Sequence, residues 1–246
     1  MQKKSPSLAL ERFSVQLQAT YSFDALSEAF IEFFGAEGVE MMSYHHLPPP
    51  GASDYQSSIT VAAYGFPPRW VDRYVDDELH KIDPIPRHAL DAVRPFWWSD
   101  AQHFRDLSND EAWYLGELSR AGVGDGIAMA LFGPHGRNGY AGLGFGSKSE
   151  RWGDEKVARL HIAAQLGHQQ YCYLLAAAAP ENISLSERES QILRWVARGK
   201  SNASVSQILG ISPNTVDTYM RRIYDKLDVA DRVTASLRGV ALGLID

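Results

Sequence analysis

Between residues 64 and 98 the chain gathers Tyr64, Phe66, Trp70, Tyr74, Asp83, Trp97 and Trp98. Tryptophan and tyrosine each combine a large apolar body with one hydrogen-bond donor, and Asp83 adds a carboxylate acceptor. Trp70 and Tyr74 are four apart, the spacing that sets two side chains on one helical face. A pocket with two such donors and one acceptor suits an amphiphile of low charge that carries an amide. Taken alone, the stripe reads first as a core face. Asp83-Pro84 likewise serves as a helix N-cap with proline at the first helical position.

Catalytic chemistry has little to stand on. Gly122-Val123-Gly124-Asp125-Gly126 leads into a strand pattern rather than a helix N-terminus, so it lacks the setting of a dinucleotide fingerprint. Gly199-Lys200-Ser201 imitates the end of a P-loop, but Arg194 stands where that motif needs glycine. Neither a Gly-x-Ser-x-Gly elbow nor a His-Glu-x-x-His helix occurs. His45 and His46 are adjacent on an expected strand and point to opposite faces, which disfavours a shared metal. Cys172 is the single cysteine, so an internal disulfide or a multi-cysteine zinc site is excluded. The expectation is a non-enzyme without metal or cofactor, its partner being a small molecule.

A second set of residues lies near the C-terminus. Ser186-Glu187-Arg188-Glu189 is a capping box in front of the apolar positions Ile192, Leu193, Trp195 and Val196. A short helix over Asn202 to Leu209 should stop at Gly210. Ser212-Pro213 then opens a third helix through Leu227, so Gly210-Ile211-Ser212 joins two helices as a helix-turn-helix. Val216, Met220, Ile223 and Leu227 share one face of the third helix. Asn214, Thr215, Asp217, Thr218, Arg221, Arg222 and Lys226 occupy the other. Amides and hydroxyls at a helix start, followed by arginines, are what groove reading with phosphate contact requires. Arg221 is expected to reach a base edge, and Lys200, Arg222 and Lys226 to meet phosphates.

The elements that must hold these residues follow from pattern and charge. The chain has 246 residues, 45% hydrophobic and 22% charged, ordinary for a globular protein of one or two domains. The net charge of −6 is unevenly spread: residues 1–179 carry 15 Lys+Arg against 22 Asp+Glu, and residues 180–246 carry 9 against 8. A balance of −7 beside one of +1 points to two domains with different tasks. Ala176 to Asn182, with Pro180, reads as the linker. No run of 18 apolar residues occurs, so no membrane span is expected. No apolar core follows Met1 to Lys4, so no signal peptide is expected either. In the first part, helices are expected over Leu8–Ala19, Asp24–Phe34, Pro67–Asp77, Asp83–Ala92, Ser108–Ala121 and Trp152–Ala178. Strands are expected over Val39–Tyr44, Ser58–Tyr64, Phe96–Trp98, Gly126–Phe132 and Tyr140–Gly146. Antiparallel strands bracketed by helices suggest an α/β/α sandwich.

The run from Leu185 through Glu189, Gly199-Lys200-Ser201, Ile208-Leu209-Gly210-Ile211-Ser212-Pro213-Asn214-Thr215-Val216, Lys226-Leu227 and Arg232 resembles the LuxR-type DNA-binding domain. Ser204 departs from a frequent glutamate of that family, and Tyr219 from a frequent histidine. In spacing and order, Trp70, Tyr74, Asp83-Pro84, Trp98 and Gly126 resemble the autoinducer-binding domain of quorum-sensing LuxR regulators. The resemblance implies an N-acyl-homoserine lactone or analogue as ligand. Trp70 would donate to the lactone carbonyl, Asp83 would accept from the amide N–H, and Tyr74 and Trp98 would wall the ring. Phe66 replaces a frequent tyrosine. Ala128 and Gly144 fall where a pocket-lining serine or threonine is frequent.

The chain is therefore expected to be α+β: an N-terminal α/β/α sandwich with an antiparallel sheet over 1–175, a linker over 176–182, and an all-α four-helix helix-turn-helix domain over 183–246. The resemblance implies a cytoplasmic homodimer that binds double-stranded promoter DNA at a palindromic site when an autoinducer is bound. Two alternatives remain open at this stage. One is a regulator answering to another small molecule or to none; the other is an enzyme with an appended DNA-binding domain.

Overall fold

The structure, a computed structural model, describes residues 6–52, 54–55, 60–146, 151–178 and 183–246. The chain divides into two compact units. One is formed by Met1–Leu47, Ile59–Pro134 and Asn138–Ala178, the other by Pro48–Ser58, His135–Arg137 and Ala179–Asp246.

The first unit is built on an antiparallel sheet of β1 (Met41–Leu47), β2 (Thr60–Tyr64), β3 (Phe96–Trp97), β4 (Gly126–Leu131) and β5 (Asn138–Gly144), in the order β2-β1-β5-β4-β3. Helices α1 (Pro6–Gln18), α2 (Phe23–Ala36) and α6 (Asp154–Ala178) supply the core on one face. Helices α3 (Pro68–Asp76), α4 (Pro84–Ala92) and α5 (Asn109–Arg120) supply it on the other. Both faces are covered, so β4 reads Gly-Ile-Ala-Met-Ala-Leu without a polar residue. Its Ile127, Met129 and Leu131 join the first core, and Ala128 joins the second.

Two details differ from the sequence expectations. β3 ends at Trp97, and Trp98 begins a 3-10 turn to His103 that brings its indole back over the sheet. Helix α6 runs to Ala178, the end expected for that helix, so Ala176–Ala178 are helical and not part of the linker; alanine is the strongest helix former, and nothing there interrupts the turn. Residues 179–182 of that linker, like positions 58 and 59 of the second strand, lie outside the described residues.

In the second unit, α7 (Glu187–Ala197), α8 (Asn202–Leu209), α9 (Pro213–Leu227) and α10 (Arg232–Ala241) enclose a core that includes Ile192, Leu193, Val205, Val216, Ile223 and Leu227. Each helix has its own start signal. Ser186 and Glu189 form a reciprocal capping box, and Ser201, Ser212 and Asp231 cap the other three. Gly210 closes α8 at φ 64°, a left-handed conformation that glycine takes without a Cβ penalty. Among the described residues no helix is long and apolar enough to cross a membrane.

Candidate functional site

A cavity of about 310 Å³ opens between β1, β2 and β5 and the α3–α5 side of the sheet. Phe66, Trp70, Tyr74, Asp83 and Trp98 all line it. Pro68 at the start of α3 presets its first turn. One turn apart, Trp70 and Tyr74 then face the sheet, with the Trp70 ring 6.0 Å and the Tyr74 ring 6.3 Å from that of Tyr114 on α5.

Asp83 caps a helix with one oxygen and holds two phenols at the cavity wall with the other. Oδ1 caps α4 by accepting the Ile85 N–H at 2.9 Å. Oδ2 accepts the hydroxyls of Tyr74 at 3.0 Å and Tyr114 at 2.9 Å. Burial pushes the carboxyl up to about 6, although the Ile85 N–H and the two phenols pull it back. Burial and the neighbouring Asp83 hold both phenols well above their ordinary range, so they remain donors. The Trp70 indole is buried, yet its N–H has no acceptor among the described residues.

Trp98 rests on a bed of glycines. A Cβ added at Gly126 would lie 2.6 Å from its ring, and one at Gly144 would lie 3.1 Å away. At Gly142 a Cβ would come within 2.6 Å of both the Ser43 and Tyr140 hydroxyls. Gly126, singled out in the sequence, is thus required for close approach of the indole. Gly144 lies beneath Trp98 and is not on the cavity wall. Ala128 is not on the wall either: it is fully buried, paired with Phe96 and Gly142. Both had been expected to line the pocket.

Tyr114, Tyr140, Ser43 and His45 were not picked out as site residues, yet each lines the cavity. Tyr114 had only a helical position to recommend it. His45 and Ser43 carry the period-2 signal of β1, which turns both toward the cavity once the buried face is known. The expected divergence of the two histidines is observed, His45 lying 5.0 Å from the Tyr140 ring and His46 5.1 Å from Tyr171 on the opposite face. A second cavity, of about 520 Å³, lies on that opposite face among residues such as Phe30, Leu143 and Tyr171 and is almost wholly apolar.

In the second unit, α9 buries Val216, Met220, Ile223 and Leu227 and leaves Asn214, Asp217, Thr218, Arg221 and Arg222 exposed. Thr215 is half-buried, its hydroxyl 2.8 Å from that of the cap Ser212. The Arg222 guanidinium lies 5.7 Å over the Tyr219 ring. Asp217 accepts from the Asn202 side chain, which ties α9 to α8. Lys200 is exposed just beyond α7. Lys226 is used differently from the phosphate contact expected of it. Its ammonium donates to the buried Glu189 carboxylate at 2.7 Å and to the Ser184 carbonyl at 3.3 Å, joining the end of α9 to the start of α7. Burial alone would raise the Glu189 carboxyl, but Lys226 and the Ser186 N–H outweigh it and hold it below its ordinary range.

A largely apolar cavity with a few fixed polar groups, in one chain with a helix-turn-helix, defines a ligand-responsive transcription regulator. Comparison with known proteins makes this specific. Residues 22–171 match the autoinducer binding domain, and residues 183–238 match the bacterial regulatory proteins of the luxR family. The chain belongs to the LuxR family, and it is a quorum-sensing transcription regulator rather than an enzyme. It is 31% identical over 186 residues to the HTH-type quorum sensing-dependent transcriptional regulator RpaR of Rhodopseudomonas palustris, covering 74% of each chain. It is 30% identical over 192 residues to the regulatory protein SdiA of Escherichia coli, covering 75% of this chain and 77% of that one. A crystal structure of Escherichia coli SdiA shares the fold, with a TM-score of 0.72 at 21% identity over 96% of this chain and 97% of that one.

Proposed function

We propose that the chain senses an N-acyl-homoserine lactone, or a close analogue, and binds a palindromic promoter site as a homodimer in the cytoplasm. The observation that carries this reading is the pairing of an unused donor, the Trp70 indole N–H, with a pre-anchored acceptor, Asp83, on one apolar cavity. Trp70 would donate to the lactone carbonyl. Asp83, with lone pairs beyond those taken by its three donors, would accept the ligand's amide N–H. Tyr74 and Trp98 would wall the ring. A buried amide left without partners costs roughly 2–7 kcal/mol, so these two groups decide whether such a ligand is held at all. Residues 1–175 would be the sensing domain and 183–246 the DNA-binding domain. Ligand burial would stabilise the dimer and present two α9 helices to the two half-sites.

Calorimetry on the full chain with N-hexanoyl-homoserine lactone tests the ligand assignment. Asp83→Asn preserves size and can still cap α4. The variant should lose about 1.5–3 kcal/mol of lactone affinity, while its unliganded melting temperature stays near that of the parent. Unchanged affinity in Asp83→Asn, or no binding to the parent, refutes the assignment.

A further inference from the structure

We infer that His45 reads the acyl group of the ligand, and that the native ligand carries a hydrogen-bonding oxygen on that group. This rests on the lactone reading above. His45 lies on β1 directly opposite Tyr140 of β5 and lines the cavity wall. It is only 4% exposed, with the ring of Tyr140 5.0 Å away on one side and that of Tyr74 6.2 Å away on the other. Neither imidazole nitrogen bonds to a described residue, and neither is sealed off by protein atoms.

The other polar groups of the wall have work to do. Tyr74 and Tyr114 are committed to Asp83. The Tyr140 hydroxyl is flanked by the Trp98 indole and the Ser43 hydroxyl. The Trp98 N–H has no well-aligned partner, but it is buried within the wall. Trp70 and Asp83 suffice for the lactone and the amide. Beyond Trp70 and Asp83, His45 is therefore the wall group among the described residues that is both unpartnered and open to the cavity, and the acyl group is the part of the ligand left to meet it. Burial, with a smaller push from the charge of His80, lowers the His45 imidazole to about 4. Near pH 7 it is neutral and offers one donor and one acceptor, so it can pair with a hydroxyl or a carbonyl oxygen. A hydrocarbon chain laid on it would leave both nitrogens unpaired in an apolar cavity, which is unfavourable. Phe66 adds to the case, because it brings no hydroxyl to the wall that could serve the acyl side instead.

The test uses two matched pairs of lactones on the full chain: hexanoyl against 3-oxohexanoyl, and phenylacetyl against 4-hydroxyphenylacetyl. In the parent protein the oxygenated member of at least one pair should bind about 2- to 12-fold more tightly, the worth of one net hydrogen bond. The pair that responds tells an oxygen near the amide from one on a ring. His45→Leu should bring that ratio close to one, and His45→Gln, which keeps a donor and an acceptor, should restore part of it. If the parent prefers the plain member of both pairs, or if His45→Leu leaves the ratio intact, the inference is overturned while the lactone reading stands. If the parent binds none of the four, both fall. Should His45→Leu fail to fold, the parent's ratios and His45→Gln still decide.

Discussion

The seam between α7 and α9 and the wall of the first cavity use a buried polar group in different ways. In the helix-turn-helix unit, Glu189 is nearly sealed, and its carboxylate is matched by Lys226 and the Ser186 N–H. In the sandwich, Trp70 and His45 are buried just as deeply and yet have hydrogen-bonding atoms without a partner among the described residues. A satisfied buried group holds elements together. An unsatisfied one beside a cavity is a cost that persists where something else completes it. Partnering thus separates architecture from recognition more sharply than burial does, and Lys226 is the instructive case. Its type and its place on α9 suggest DNA, whereas its bonds belong to the scaffold.

Removing Lys226 should have the largest effect on this contrast. Lys226→Met leaves Glu189 buried without its cation, and it should destabilise the second unit by about 2–4 kcal/mol, less than a fully buried pair because the lysine is partly exposed. Thermal unfolding of the full chain, followed through Trp195, the sole tryptophan of that unit, measures it. An unchanged melting transition together with weaker DNA binding would return Lys226 to the DNA-contacting set and break the comparison.

Acid should act on the two carboxylates with opposite sign. Glu189 is held below its ordinary range, so its contribution to stability is present above that range and is lost as pH falls through the lowered value. Asp83 is raised to about 6, so its burial favours the folded state most below the ordinary carboxylate range, and that contribution is lost as pH rises through 6. Ligand affinity runs the other way at Asp83, because the ionised form is the better acceptor for an amide N–H. Lactone affinity should fall by up to about tenfold, or 1.4 kcal/mol, between pH 7 and pH 5. Asp83→Asn should flatten that profile. An equally steep profile in the variant would assign the titration to another group.

Much of this was legible in the sequence where the signal is local. Ser108 with Glu111, Ser186 with Glu189, and Gly210 before Ser212 mark helix ends through bonds that span three or four residues, and each occurs as expected. Trp70, Tyr74 and Asp83 were legible through spacing along one stretch of chain. What escaped depends on contacts between distant segments. Tyr114 meets Asp83 across 31 residues, and Lys226 meets Glu189 across 37. Gly144 was expected on the wall from the family resemblance, but the Trp98 ring occupies the space in front of it. His45 was weighed only as a metal ligand. Its solitude became visible when the sheet placed it opposite Tyr140.

Phe66 offers the smallest and most discriminating change. Its ring lies 6.3 Å from that of Trp98 at an interplanar angle of 27°, half-buried on the cavity wall. Phe66→Tyr adds one hydroxyl at the ring edge and leaves the stacked body in place. If a ligand carbonyl lies against that edge, the new donor should improve affinity by roughly 0.5–1.5 kcal/mol. If the acyl group presents hydrocarbon or an aromatic ring there, the hydroxyl is buried without a partner and affinity should fall. Calorimetry with a short-chain and an aryl lactone on both proteins separates these outcomes. The pattern also bears on the contrast between the units, because a gain would show that this wall had one donor too few for its ligand. A loss would mean that the ligand's polar groups are already met by Trp70, Asp83 and His45. No change with either ligand would place residue 66 outside the contact surface and narrow recognition to those three side chains.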